Sequence, residues 1–182
     1  YETVTSSDGS MPLLAPMSTI AGQLAFVVGS YHLLKHNKGK GVMIGHMDDM
    51  DPRVVTVIGA GVAGTQSILK AIDNKALVKV VDSSQSKLDD LKLKYGTENV
   101  EYILSSKDSI QVSVNESDLV IGSVYVVGKE APKVVTKDML SSMNPGTVMV
   151  DVSIDQGGCF ETSKPTTHDS PTFLENDIVH YC

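Results

Sequence analysis

From residue 53 onward, short β-branched runs alternate with stretches whose apolar residues recur every three or four positions. The runs "VVTVI", "LVKVV", "LVIGS" and "TVMVDV" are nearly continuous in apolar character. That is the mark of strands buried on both faces. Strands are expected at about 53–58, 77–81, 100–104, 118–123, 147–152 and 178–181. The intervening periodicity predicts helices at about 62–73, 84–95, 107–116 and 136–143, with Leu88, Leu91 and Tyr95 on the buried face of the second. Residues 154–177 read as an irregular loop. Strands alternating with helices predict an α/β fold with a parallel sheet covered on both sides.

The N-terminal part reads differently. Residues 1–16 form a strand or loop lead-in broken by Pro12 and Pro16. From Ser18, which sits where an N-cap would sit, Ile20, Leu24, Val27, Val28, Tyr31 and Leu34 make one apolar stripe of a helix. The segment "HNKGKG" ends that helix. Gly22, Ala25 and Gly29 put small residues on another side, where a second element could approach closely. A connector, "GVMIGHMDDMDP", follows. The division expected is a lead-in and linking helix over 1–52 and a sheet domain over 53–182.

The first strand runs straight into Gly59-Ala60-Gly61-Val62-Ala63-Gly64, the pattern G-x-G-x-x-G. Alone this is a weak signal. Here a strand precedes it, a helix follows it, and Asp82 ends the next strand eighteen positions after Gly64. That context is the arrangement of a dinucleotide-binding turn. Gly59 would permit the tight turn, Gly61 the close approach of a pyrophosphate, and Gly64 the packing of helix on strand. The phosphates would meet unpaired N–H groups at the helix start, on the positive end of its dipole. Asp82 would accept from the ribose hydroxyls and repel a 2′-phosphate, which favours NAD over NADP. The fold is therefore expected to be a Rossmann-like doubly wound parallel sheet of about six strands with an N-terminal linking helix.

Charge and composition narrow the partners. The net charge of -7 and pI of about 5.1 argue against a nucleic-acid surface. No apolar run is long enough to span a bilayer, so no membrane is expected. Cys159 and Cys182 form neither a metal pattern nor a disulfide framework, and read as reduced thiols of a cytoplasmic protein. No metal site is expected.

"MPLLAPMSTIAGQLA", "GVAG", "SDLVIGSV", "APKVVTKDML", "VDVSIDQGGCFET" and "PTTHDSPTF" together resemble the alanine dehydrogenase family. That group also includes the NAD-binding subunit of proton-translocating transhydrogenase. The resemblance covers essentially the whole chain, and "IDQGGCFET" followed by "PTTH" leans toward alanine dehydrogenase. It implies two Rossmann-like domains in the complete protein. This chain is similar to the cofactor domain alone, with the substrate domain, which handles L-alanine and pyruvate, lying outside it. It also implies a homo-oligomer, a contact that the small-residue side of the linking helix could form. Residue by residue, Ser18 resembles a serine that approaches the cofactor phosphates. Gly59, Gly61, Val62, Ala63 and Gly64 resemble the family's turn. Asp82 resembles the ribose acid, Lys87 a basic residue at the adenosine end, and Ser105 an adenine-side serine. Val124 and Tyr125 match the loop after the fourth strand. Val152, Ser153, Ile154 and Asp155 match the segment beside the nicotinamide, with Asp155 the catalytic aspartate. Lys164 matches a basic cofactor contact.

Several of these residues have a plainer reading. Asp155, before Gly157 and Gly158, could be a turn acid that bonds its own backbone. Ser18 could be only a cap, and Lys87 only a solvated charge. His168 could carry a proton or stabilise its loop. His32, His36 and His46 read as surface residues, His180 as part of the last strand, and Cys159 as a thiol without a base. Two functions follow. One is the NAD-binding domain of an L-alanine dehydrogenase, inactive by itself. The alternative is an NAD(H)-binding module, either non-catalytic or a subunit of a transhydrogenase-like assembly.

Overall fold

A computed structural model describes residues 3–45 and 50–182. The expected His46 surface position, and part of the connector, lie outside the described residues. The elements are α1 (Ala15–His32), β1 (Val54–Ile58), α2 (Val62–Asp73), β2 (Leu77–Asp82), α3 (Gln85–Tyr95), β3 (Val100–Leu104), α4 (Lys107–Glu116), β4 (Leu119–Gly122), β5 (Val148–Asp151), β6 (Thr172–Glu175) and β7 (Ile178–Tyr181). One seven-stranded sheet has the order β3-β2-β1-β4-β5-β7-β6, parallel except at β6.

The central strands are buried because both faces are covered. One cluster joins Val55, Val57, Val78, Val80, Leu119, Ile121 and Val150 to α1, α2 and α3 through residues such as Phe26, Ile68 and Leu88. The other joins Ile58, Val81, Val120 and Met149 to Ile110, Val114, Leu140 and Phe160. Strand side chains alternate between faces, so near-continuous apolar runs feed both clusters. Among the described residues, no helix is long and apolar enough to cross a membrane.

Four expectations need correction. The sheet has seven strands, because Thr172–Glu175 lies within the segment read as loop. It turns back through Asn176 and Asp177, at φ 51° and 61°, into β7. Both central residues have positive φ, which asparagine and aspartate tolerate in a tight hairpin turn. Second, the stretch near 136–143 is a 3₁₀-helix over Lys137–Ser142, not an α-helix. Third, α1 begins at Ala15 with Pro16 in its first turn, where proline is favoured. Ser18 is thus not the cap but a second-turn residue whose N–H donates to the Leu14 carbonyl.

Fourth, the face of α1 is reversed. Ile20, Leu24, Val27 and Tyr31 of the apolar stripe are exposed, whereas Gly22, Ala25, Phe26, Gly29 and His32 are buried. His32, expected at the surface, packs near Tyr181. The small-residue side is occupied within the same chain, Gly22 by α2 and Gly29 by Leu119 and Val150 of the sheet, so it is not available as an oligomer contact. Backbone proximity wins over side-chain area here. A β-carbon on Gly22 would stand 2.0 Å from the Ala63 carbonyl oxygen. Ser67 Oγ donates to the Gly22 carbonyl at 2.7 Å, and Gln23 bonds Gln66 at 3.1 Å. Gly22→Ala is expected to cost about 2 kcal/mol through overpacking against backbone. The melting temperature should fall by roughly 4–8 °C. A thermal melt of the variant that matches the parent would contradict this packing.

Candidate functional site

The connections reverse direction between β1 and β4, which leaves a crevice beyond the carboxyl ends of the strands. The three turn glycines meet three different demands there. Gly59 has φ +93° and no room, since a β-carbon would lie 2.6 Å from the Ser123 carbonyl oxygen. At Gly64 a β-carbon would lie 1.8 Å from the Gly59 carbonyl oxygen. Gly61 has neither constraint. Its backbone is extended, φ -74° and ψ -161°, and nothing lies within 4 Å of its β-carbon position. Packing does not require glycine at 61, so the open space is the feature to explain. Gly61 is also the N-cap of α2, and no side chain caps that helix. The N–H groups of its first turn, on Val62, Ala63 and Gly64, therefore face the crevice end without a side-chain acceptor.

Asp82, at the end of β2, is 7% exposed and tied to this turn. Its Oδ2 accepts the Ala60 N–H at 2.7 Å, and its Oδ1 accepts the Ser84 N–H at 2.9 Å. Lys87 is not merely a solvated charge, because its Nζ stands 3.3 Å from Asp82 Oδ2. Ser105, just past β3, donates its N–H to the Asp82 carbonyl at 2.9 Å. Ser18 lies one helical turn before Gly22, on the α1 face that meets Ala63. Thus Ser18, the glycine turn, Asp82, Lys87 and Ser105 form one half of the crevice.

The second half follows β4 and β5. Val124 and Tyr125 leave β4, and the Tyr125 hydroxyl donates to Met11 Sδ at 3.7 Å. Ser153 Oγ donates to the Val124 carbonyl at 2.8 Å, which joins the two loops. Val152 and Ile154 are half-buried, and Ile154–Gln156 forms a single 3₁₀ turn. Asp155 projects from that turn, exposed, and among the described residues nothing hydrogen-bonds its carboxylate. The role of turn acid belongs instead to Asp151, which is 3% exposed and gathers backbone N–H groups.

Lys164 is set apart from the other site residues. Its Nζ lies 4.1 Å above the Phe173 ring on edge strand β6, beside Pro165, Thr166 and Thr172. Five strand spacings separate that edge from β2, about 24 Å. Lys164 thus lies beside the β6 edge, away from Asp82 and the glycine turn. His168 is exposed on the adjoining loop.

Three residues that shape the site were not singled out in the sequence. Ser123 Oγ donates to the Gly59 carbonyl at 2.6 Å and holds the glycine turn against β4. Asp151 and Lys133 hold the loop that carries Asp155. The sequence signal for Asp151 is its place at the end of a strand, the same place that Asp82 holds. Nothing in the sequence marks Lys133.

Burial, together with the charge of Asp151, pushes the Cys159 thiol well above its usual range. It is fully buried and suits neither nucleophile nor metal ligand. Burial also lowers the proton affinity of His180, whose ring contacts Thr162 and the Ile178 carbonyl, and of His32. Both are held neutral in the folded chain but take a proton near pH 6.5 once unfolded. Their contribution to stability is thus complete above pH 6.5 and lost as pH falls below it toward their depressed folded values. Melting temperature should be flat from pH 8 to 7 and decline toward pH 5.5. A flat or rising profile there would contradict the neutral buried imidazoles.

A family model described as alanine dehydrogenase/PNT, C-terminal domain, matches residues 25–182. The alanine dehydrogenase of Halomonas elongata is 48% identical over 182 residues, covering 100% of this chain and 49% of its own length. A solved L-alanine dehydrogenase superposes with a TM-score of 0.95 at 40% identity, over 100% of this chain and 50% of the other. The transhydrogenase from Sinorhizobium meliloti gives a TM-score of 0.78 at 22% identity, over 92% of this chain and 48% of the other, a likeness of fold alone. The chain thus spans about half the length of the curated relatives it matches.

Proposed function

The chain belongs to the alanine dehydrogenase/PNT C-terminal domain family, and from that premise we propose that it is the NAD-binding domain of an L-alanine dehydrogenase. The observation that carries this reading is Gly61. It is a glycine that packing does not require, open to solvent, at an uncapped helix start, beside the strand-end carboxylate of Asp82. A pyrophosphate fits that combination, because a β-carbon would occupy its place and unpaired N–H groups would receive it.

Gly59, Gly61, Val62, Ala63 and Gly64 hold the phosphates with Ser18 alongside. Asp82 offers its remaining acceptor capacity to the ribose hydroxyls, with Lys87 and Ser105 at the adenosine end. Lys87 offsets part of the Asp82 charge, so preference for NAD over NADP rests on acceptor geometry as well as on repulsion. Val124, Tyr125 and Val152 to Asp155 flank the nicotinamide, and Lys164 approaches from the β6 side. When bound, NAD supplies the hydride acceptor. Asp155 holds a carboxylate at the strand end where a proton must be moved as the substrate amine is oxidised. Ser153 orients that turn through its bond to the Val124 carbonyl.

In the full-length protein, L-alanine, NAD and water give pyruvate, ammonia, NADH and a proton. That protein is further read as a cytoplasmic homo-oligomer whose substrate domain closes over the crevice. The test is a turnover assay of the full-length protein. NADH absorbance should appear only with L-alanine and NAD together. A protein that binds NAD but oxidises no amino acid would overturn the reading in favour of a non-catalytic or transhydrogenase-like module.

A further inference from the structure

The loop from Val152 to Ser163 carries Asp155 and has almost no regular structure beyond one 3₁₀ turn. Something else must fix it. Asp151 does so from beneath. Its Oδ1 accepts the Ser153 N–H at 3.0 Å and the Cys159 thiol at 3.5 Å. Its Oδ2 accepts the Cys159 N–H at 2.8 Å, the Phe160 N–H at 3.2 Å and the Ser163 hydroxyl. These donors come from both ends of the loop, so one carboxylate ties its start to its finish. Gly158 makes the wrap possible. Its φ is +77°, and a β-carbon there would lie 2.8 Å from Asp151 Oδ2.

A buried carboxylate needs such donors, because desolvation of an unpaired anion is costly. Among the described residues no cation pairs with it, and neutral loop groups supply the compensation. The cation sits on the other side of the same loop. Lys133 Nζ donates to the Gly158 carbonyl at 2.7 Å and to the Gly157 carbonyl. The anion thus collects the loop's N–H groups, and the cation collects its C=O groups. The loop is clamped between opposite charges that never meet.

We propose that Asp151 and Lys133 are positioning residues that set the nicotinamide side of the cofactor site. The inference rests on the NAD reading above but goes further, since neither residue is required to touch the cofactor. Neutralising Asp151 breaks the clamp in a defined way. In Asp151→Asn an amide NH₂ must face N–H donors, leaving at least one buried donor unsatisfied. The loop then shifts, and Val152 to Asp155 shift with it. The glycine turn and Asp82, on β1 and β2, do not.

The experiment compares two ligands on the 182-residue chain. ADP-ribose carries the adenosine and pyrophosphate but no nicotinamide, and NADH carries all three. The unsubstituted chain should bind NADH more tightly than ADP-ribose, with enhanced nicotinamide fluorescence. Asp151→Asn should weaken NADH about tenfold and abolish the enhancement, with ADP-ribose affinity held within about twofold. Lys133→Ala, at an exposed position whose loss threatens the fold less, should change NADH in the same direction by a smaller factor. Retained ADP-ribose binding certifies the fold in each variant. Parallel loss of both ligands, or no change in either, would overturn the positioning role. Equal affinity of the unsubstituted chain for the two ligands would overturn it as well. A chain that binds neither ligand overturns the cofactor reading first, and this inference with it.

Discussion

Gly61→Val should leave the chain folded and unable to hold NADH. The position is extended, which suits a β-branched residue, and its β-carbon meets no atom within 4 Å. Stability should fall by no more than about 1 kcal/mol, the difference between glycine and a β-branched residue at the N-cap of α2. The added methyl groups occupy the approach of a pyrophosphate to the α2 N-terminus. NADH affinity should fall at least about a hundredfold. The neighbouring glycines supply the contrast. Gly64→Ala drives a β-carbon into the Gly59 carbonyl oxygen at 1.8 Å, so it should lose stability and binding together. A Gly61→Val chain that binds NADH like the parent would remove the physical basis for reading this turn as a phosphate cradle.

Asp155→Asn in the full-length protein should lower kcat by about 10²–10⁴-fold, the usual weight of a positioned proton-transfer group. Cofactor affinity should hardly change. The side chain is exposed, and among the described residues nothing hydrogen-bonds it. An isosteric amide therefore disturbs no hydrogen bond among the described residues, and its effect reports chemistry rather than folding. Separate measurement of kcat and of NADH affinity makes the comparison. Unchanged kcat would return Asp155 to a plain loop acid, and parallel loss of binding would make it a cofactor contact.

The central sheet was legible because its strands are buried on both faces and so read as unbroken β-branched runs. The order of β1, α2 and β2 followed from the glycine turn and Asp82. What was not legible has three physical sources. On α1 the largest apolar residues point outward, because the helix approaches α2 through Gly22 and the sheet through Gly29 rather than through its bulk. Apolar periodicity marks the buried face only where side-chain area decides it, and on α1 backbone clearance decides it. The β6 hairpin was hidden because a four-residue edge strand with half-exposed side chains carries little pattern. The site was visible where a residue type itself signals chemistry, as at Gly61, Asp82 and Asp155. It was invisible where a residue acts through the backbone of another segment. Ser123, Asp151 and Lys133 bond to main-chain groups brought near by topology, and no spacing in the sequence encodes those partners.

Calorimetric titration of this 182-residue chain with NADH, with NADPH as the comparison, probes the glycine turn and Asp82 together. A single site for NADH is expected, with an affinity for NADPH at least about tenfold weaker. Equal affinity for the two would contradict the role given to Asp82, and a chain that binds neither would contradict the cofactor site itself.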